Sequence, residues 1–166
     1  SVKNPNGLVS QKYIRMGYAN QLVQQQDYNT ALSVLDENFE DFPKDKETLM
    51  NKANIYLMTK DKKNATKTYQ EIAVTKKDSL FSLNGLSLVA HIAERDSEAL
   101  SIAEKALKKS QLIEDVKLQN ETKERYVQAL IWNKKYKEAA AKIKEYQISN
   151  PNENWVLALS ATLGMY

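Results

Sequence analysis

The stretch QQDYNTALSVLDENFEDFP, Gln25 to Pro43, places Tyr28 three residues before Ala31 and Pro43 twelve residues after it. A later stretch, KYKEAAAKIKEYQISNP from Lys135 to Pro151, repeats both spacings with Tyr136, Ala139 and Pro151. Self-similarity of this kind marks a chain assembled from repeated units. Outward from Ala31, Ala65 and Ala99 follow at 34-residue steps, and a second small position runs in phase through Ala19, Ala53 and Ser87. Large apolar residues keep the same step, Leu22 with Tyr56 and Leu35 with Tyr69. The fourth copy is displaced, because Ala99 and Ala139 stand 40 apart. The excess of six is expected between Lys109 and Tyr136, as a longer first helix.

Small residues at a fixed period have a mechanical reading. Two antiparallel helices approach closely only where side chains are short, and larger residues a turn away fill the space on either side. One such pair cannot bury both of its apolar faces, so copies stack. Helices are expected over 8–25 and 28–42, 46–59 and 62–75, 79–93 and 97–109, 112–132 and 136–148, with a last one over 153–163. Asp45, Asp61, Asp78 and Asp96 stand where N-caps are wanted. Pro43 and Pro151 stand where second helices must stop.

Composition agrees with this and narrows the function. The 166 residues include four glycines and three prolines, too few for the turns of an all-β fold. The balance of 24 basic and 21 acidic residues gives a net charge of +3, which argues against nucleic acid as a partner. Basic clusters such as Lys60, Lys62 and Lys63, or Lys134, Lys135 and Lys137, fall at turns and helix ends, where cations are locally favoured. Without cysteine there is no disulfide, thiolate metal site or cysteine nucleophile. His91 is the only histidine, so no histidine-based metal cluster forms, and no Gly-rich phosphate loop or nucleophile elbow is present. No apolar run approaches the roughly 20 residues that span a bilayer. Nothing in this inventory calls for catalysis or for a cofactor.

The 34-residue period, the small residue in each helix and the closing proline resemble the tetratricopeptide repeat. In the first unit the matching residues are Ala19, Leu22, Tyr28, Ala31, Leu35 and Pro43; in the fourth they are Val127, Leu130, Tyr136, Ala139, Ile143 and Pro151. The chain departs from the family pattern at its glycine positions, which hold Ala, Ser or Val, and at Lys77 and Gln111, where proline is usual. The resemblance implies an all-α, right-handed superhelix of about four helix-turn-helix units, 8–43, 44–77, 78–110 and 111–151, with a closing or partial fifth-unit helix over 152–166. Residues 1–7 read as a tail or as the remnant of an earlier unit, since Asn4-Pro5-Asn6 resembles Asn150-Pro151-Asn152, and the chain reads as a fragment of a longer protein.

The resemblance also implies a concave groove lined by the first helix of each unit. Its candidate residues are Tyr13, Met16 and Asn20 in unit one, and Glu47, Met50, Asn51 and Asn54 in unit two. Unit three adds Phe81, Asn84, Leu88 and His91, and unit four Arg125 and Gln128. Four asparagines there suit the backbone of an extended peptide, since each amide both donates and accepts; an asparagine-rich chain would also carry them without such a role. Some tetratricopeptide domains clamp a C-terminal carboxylate with two Asn and three cations. Asn20 and Asn51 match the former, but Met16, Phe81 and Gly85 stand where the cations belong, so that mode is not expected. The reading is a non-catalytic scaffold for a protein or peptide partner. Two alternatives stay open: an accessory domain of a bacterial envelope or exopolysaccharide export system, contacting a polysaccharide or outer-membrane assembly, and self-association into a homo-oligomer through Trp155, Leu159 and Leu163. Frequent Lys and Asn hint at an AT-rich genome, and the lean is to a bacterial periplasm or cell envelope.

Overall fold

A computed structural model describes residues 5–165; Asn4 of the tail motif and Tyr166 lie outside them. Among the described residues there are nine helices and no strand. The chain divides into two compact units after Ile72. The first contains α1 (Pro5–Gln24), α2 (Tyr28–Asp41), α3 (Lys46–Met58) and α4 (Lys62–Ile72). The second contains α5 (Lys76–Ile92), α6 (Asp96–Ser110), α7 (Val116–Trp132), α8 (Tyr136–Ser149) and α9 (Asn154–Thr162). Within each unit sequential helices pack as neighbours, and alternate helices touch as well: α1 with α3, α5 with α7, and α7 with α9.

The small positions sit where the helices of a pair meet. Ala19, Ala31, Ala53, Ala65, Ala99 and Ala139 are all buried, as are Ser87 and Val127 in the same series. The Ser87 hydroxyl donates to the Ala99 carbonyl at 2.7 Å, so at that crossing a side chain of one helix touches the backbone of the other. Leu22 and Leu35 pack beside Ala19 and Ala31 in one apolar cluster, and Leu130 and Ile143 do the same beside Val127 and Ala139. Complete burial of a leucine such as Leu35 contributes about 1.5–3 kcal/mol.

The turns inside the pairs keep the period too. Gln26, Lys60, Glu94 and Lys134 all take left-handed backbone, with φ of 62, 57, 60 and 57°. After each, the next amide returns to a carbonyl five residues back: Asp27 to Leu22, Asp61 to Tyr56, Arg95 to Ala90 and Lys135 to Leu130, at 2.8–2.9 Å. This closes the first helix of each pair by a Schellman-type turn and satisfies its last carbonyls.

Several local expectations are corrected. Helix α1 begins at Pro5 and α5 at Lys76, each three residues early, whereas α7 begins four residues late, at Val116. The six-residue excess is not in the first helix of the fourth pair, since α7 and α5 are both 17 residues long. Instead α6 is one turn longer than α4, 15 residues against 11. The linker 111–115 supplies the remaining two residues. Asp45 and Asp61 do cap their helices, accepting from the backbone of Thr48 and Asn64. Asp78 does not, because Thr75 caps α5 and accepts from the Asp78 amide. Asp96 is the first residue of α6, and its carboxylate is engaged by His91.

A polar joint holds α1, α2 and α3 together. Asn38, fully buried on α2, donates to the Lys12 carbonyl and to the Thr48 hydroxyl. That hydroxyl donates in turn to Asp45 at 2.7 Å. Asp45 receives the Lys12 ammonium at 3.2 Å, and Glu47 lies 3.5 Å from the same nitrogen. Burial by itself would lower the Lys12 pKa, but the hydrogen bond and charge of Asp45, with Glu47 behind it, outweigh burial and hold it above the ordinary value. Burial would likewise raise Asp45, yet hydrogen bonds from Thr48 and Lys12 bring its carboxyl below the usual range.

Both shifts are statements about stability. The share contributed by Asp45 is complete above its unfolded pKa of about 4 and fades as pH falls through its lower folded value. The share of Lys12 is complete below its unfolded pKa of about 10.4 and fades as pH rises through its higher folded value. Asp45→Ala removes both a cap and the partner of a nearly buried cation. It is expected to cost about 3 kcal/mol in urea unfolding at pH 7 and to flatten the acid limb of stability against pH. An unaltered acid limb would mean that the joint does not act through this carboxylate.

Candidate functional site

Where first helices lie side by side, their outward stripes form a surface. In the first unit α1 and α3 supply it. The exposed Tyr13 hydroxyl donates to Glu47 at 3.0 Å, which joins two of the expected residues. Met16 is half-buried and packs against the Ala19–Ala31 cluster, and Met50 is half-buried as well. Asn20 and Asn54 are exposed. Asn51 is half-buried, and its amide donates at 2.8 Å to the Glu47 carbonyl one turn earlier in its own helix.

In the second unit α5 and α7 make a more constrained surface. Asn84, Leu88 and His91 follow the i, i+4, i+7 spacing of one helix face, and Arg125, Gln128 and Trp132 share a face of α7 at i, i+3, i+7. The two stripes meet where the His91 ring stacks on Trp132, with centroids 3.8 Å apart and planes 3° from parallel. Nδ1 of His91 lies 2.6 Å from Asp96 Oδ1. A carboxylate only accepts, so Nδ1 carries the hydrogen and the ring is held in one orientation. The Arg125 guanidinium lies 5.8 Å from the Trp132 ring and donates to Gln128 at 2.8 Å. Glu124 completes the row, and burial raises its carboxyl above the usual range.

Asn84 differs from the other asparagines. It is 7% exposed, and its amide nitrogen donates to the Thr122 hydroxyl on α7 at 2.8 Å. Its carbonyl oxygen is buried with no hydrogen-bond partner among the described residues. One half of the amide therefore couples the helices and the other half is left unsatisfied. Phe81 is drawn inward against the Leu80–Ala106–Leu118 cluster, and Leu88 is half-buried.

Trp132 and Asp96 belong to this surface, the fully buried Thr122 anchors Asn84 beside it, and none of the three was among the expected residues. Trp132 was within reach, since it stands seven residues beyond Arg125 on the same stripe. The pairing of His91 with Asp96 crosses the turn between α5 and α6 and carries no periodic signal.

The residues expected to self-associate lie on α9 and just after it. Leu159 is buried, and Trp155 and Leu163 pack against the core shared by α6, α7, α8 and α9. Trp155 meets Tyr146 edge to face at 5.6 Å. These contacts hold α9 to its own unit. Among the described residues no group of three His, Cys, Asp or Glu side chains is placed to hold a metal ion. No helix among them is long and apolar enough to cross a membrane.

No protein-family model matches the sequence, and no curated protein matches it. Solved structures do. One described as the MamA RS-1 ArsTM double mutant superposes with a TM-score of 0.57 at 16% identity, over 89% of this chain and 74% of that one. Another, YrrB, described as a TPR protein with an unusual peptide-binding site, gives 0.54 at 15% identity, over 90% of this chain and 82% of that one. At such identities the likeness speaks for architecture, and the architecture is the tetratricopeptide-repeat fold.

The unsatisfied Asn84 oxygen makes a specific prediction. Asn84→Ala loses one hydrogen bond but also removes a buried acceptor that gains nothing in the free protein. Denaturant unfolding is expected to register a loss of about 1 kcal/mol or less. A loss above about 3 kcal/mol would mean that both halves of the amide are engaged.

Proposed function

We propose that this tetratricopeptide-repeat chain is a non-catalytic interaction scaffold, and that it binds an extended peptide segment of a partner protein across the α5–α7 surface. The observation that carries the proposal is the buried, unpartnered carbonyl oxygen of Asn84 beside a row of fixed polar groups. Such an oxygen costs free energy until a donor reaches it, and a peptide N–H is a donor of the right kind. Arg125 and Gln128 then offer donors and acceptors further along α7, held in place by each other and by Glu124. The stacked His91 and Trp132 supply a flat, partly exposed aromatic edge on which an apolar side chain can rest. Preorganisation by these internal contacts lowers the ordering cost that weakens peptide binding. The peptide-binding description of YrrB, on the same fold, supports the same kind of partner.

Selection from a displayed library of random peptides tests the proposal with no partner in hand. Peptides that share a consensus are expected to be enriched, and to bind Arg125→Ala/Gln128→Ala at least tenfold more weakly while the variant melts as the parent does. Enriched peptides that bind the variant equally well would remove the α5–α7 surface from consideration.

A further inference from the structure

The departure from the 34-residue period has a structural product. The additional turn of α6 and the linker that follows it help to line a cavity of about 250 Å³ among α6, α7 and α8. Leu107 and Ser110 line it from the added length of α6, Gln119 and Lys123 from α7, and Lys142 and Tyr146 from α8. Its wall is tied down, because the Gln119 amide donates to the carbonyls of Ser110 and Ile113 and so fixes the linker to α7.

Two groups in this cavity lack the partners their chemistry calls for. Lys123 is half-buried, yet it makes no ion pair with any described residue. Its ammonium touches only the neutral Asn150 side-chain oxygen at 3.3 Å and the Tyr146 ring, 5.3 Å from the centroid. Tyr146 is 4% exposed, and its hydroxyl has no hydrogen-bond partner among the described residues. Burial pushes that phenol well above its ordinary range, so at neutral pH it remains a donor. Lys142 is paired with Glu145 at 3.1 Å, which leaves the lining with one positive charge in excess. A half-buried cation without a counter-charge near Tyr146, whose hydroxyl has no acceptor, gains little within the free protein. The arrangement becomes favourable once an anionic oxygen accepts from both.

We propose that this cavity is a second binding site, distinct from the α5–α7 surface, and that it takes an anionic oxygen group, a carboxylate or a phosphate, through Lys123 and Tyr146. The volume lies below the roughly 300–1,000 Å³ of sites that enclose drug-sized ligands, so the occupant is a single small group. It comes either as a free anion or as an acidic side chain. The Leu107 side chain and the Tyr146 ring provide an apolar floor for the carbon chain of the latter.

The test is a heteronuclear NMR titration of the 166-residue chain at constant ionic strength. One arm uses inorganic phosphate and the other N-acetylglutamate amide. Saturable shifts at the amides of Gln119, Lys123 and Tyr146 are expected. A response to phosphate alone identifies a phosphate site, to the glutamate derivative alone a carboxylate site, and to both a site for either. Lys123→Met is expected to weaken binding about tenfold and Tyr146→Phe several-fold. In the free protein Tyr146→Phe is expected to leave the melting temperature unchanged or to raise it, since the hydroxyl it removes has no partner. Absence of saturable shifts with both anions, undiminished binding by the two variants, or a lower melting temperature for Tyr146→Phe would each overturn the proposal.

Discussion

Close approach of two helices at a short side chain is the constraint on which the rest of this structure depends. Ala31, Ala65, Ala99 and Ala139 are all essentially inaccessible, and so are their counterparts Ala19, Ala53, Ser87 and Val127 on the facing helices. A methyl group or a hydroxyl at each crossing sets how near the axes come, and that spacing decides what fits above and below it. Leucine, isoleucine and tyrosine fill those layers, with Leu35, Tyr69 and Ile143 at equivalent positions of three different pairs. The Schellman-type turns return the chain at the angle this packing needs, and their left-handed residues recur with the same spacing as the alanines.

Polar contacts follow the period as well. Thr48 and Thr122 occupy the same position of their pairs; both are fully buried, and each hydroxyl accepts from an asparagine amide, Asn38 for Thr48 and Asn84 for Thr122. A buried amide-hydroxyl pair is worth only about 1 kcal/mol, but it penalises any register in which either group loses its partner. Neighbouring helices within a unit are thus fixed by shape at the alanines and by hydrogen bonding at the threonines. In the first unit the Lys12–Asp45 ion pair adds charge to the same joint. In the second, Asn120 reaches Glu153 and Asn150, so α7 is tied both to the end of α8 and to the start of α9.

Most of the architecture was legible because packing at a crossing leaves a strict, countable trace. The helical class, the helix pairs and the buried face could be read from Ala31, Ala65 and Ala99 alone. The location of the six-residue excess could not, since an additional turn in α6 and one in α7 displace Ala139 equally. The left-handed turns were also hidden, because Gln26, Lys60, Glu94 and Lys134 are not glycine and carry no turn signature. Capping was half legible: Asp45 and Asp61 obey the rule, whereas Thr75 and Asp115 cap helices whose starts were misplaced. For the candidate surface, spacing picked out the face of α5 and α7 but said nothing about which amides are spent internally. Asn51 bonds its own helix and Asn84 bonds the next one, and only the fold can distinguish them from the exposed Asn20 and Asn54. For Trp155, Leu159 and Leu163 spacing could not say how much of the stripe meets its own unit, because an apolar stripe has the same spacing whether it meets a neighbour or solvent.

The central claim is that short side chains at the crossings set the fold, and α8 contains its own control. Ala139 is buried at a crossing, whereas Ala141, two residues further along the same helix, is exposed. Alanine and leucine differ little in helix propensity, so a difference between the two sites reports packing and not helix formation. The most direct measurement is the unfolding free energy of Ala139→Leu against that of Ala141→Leu. The account predicts a loss of about 1–3 kcal/mol or more at Ala139 and less than about 0.5 kcal/mol at Ala141. Equal tolerance of leucine at both positions would contradict it.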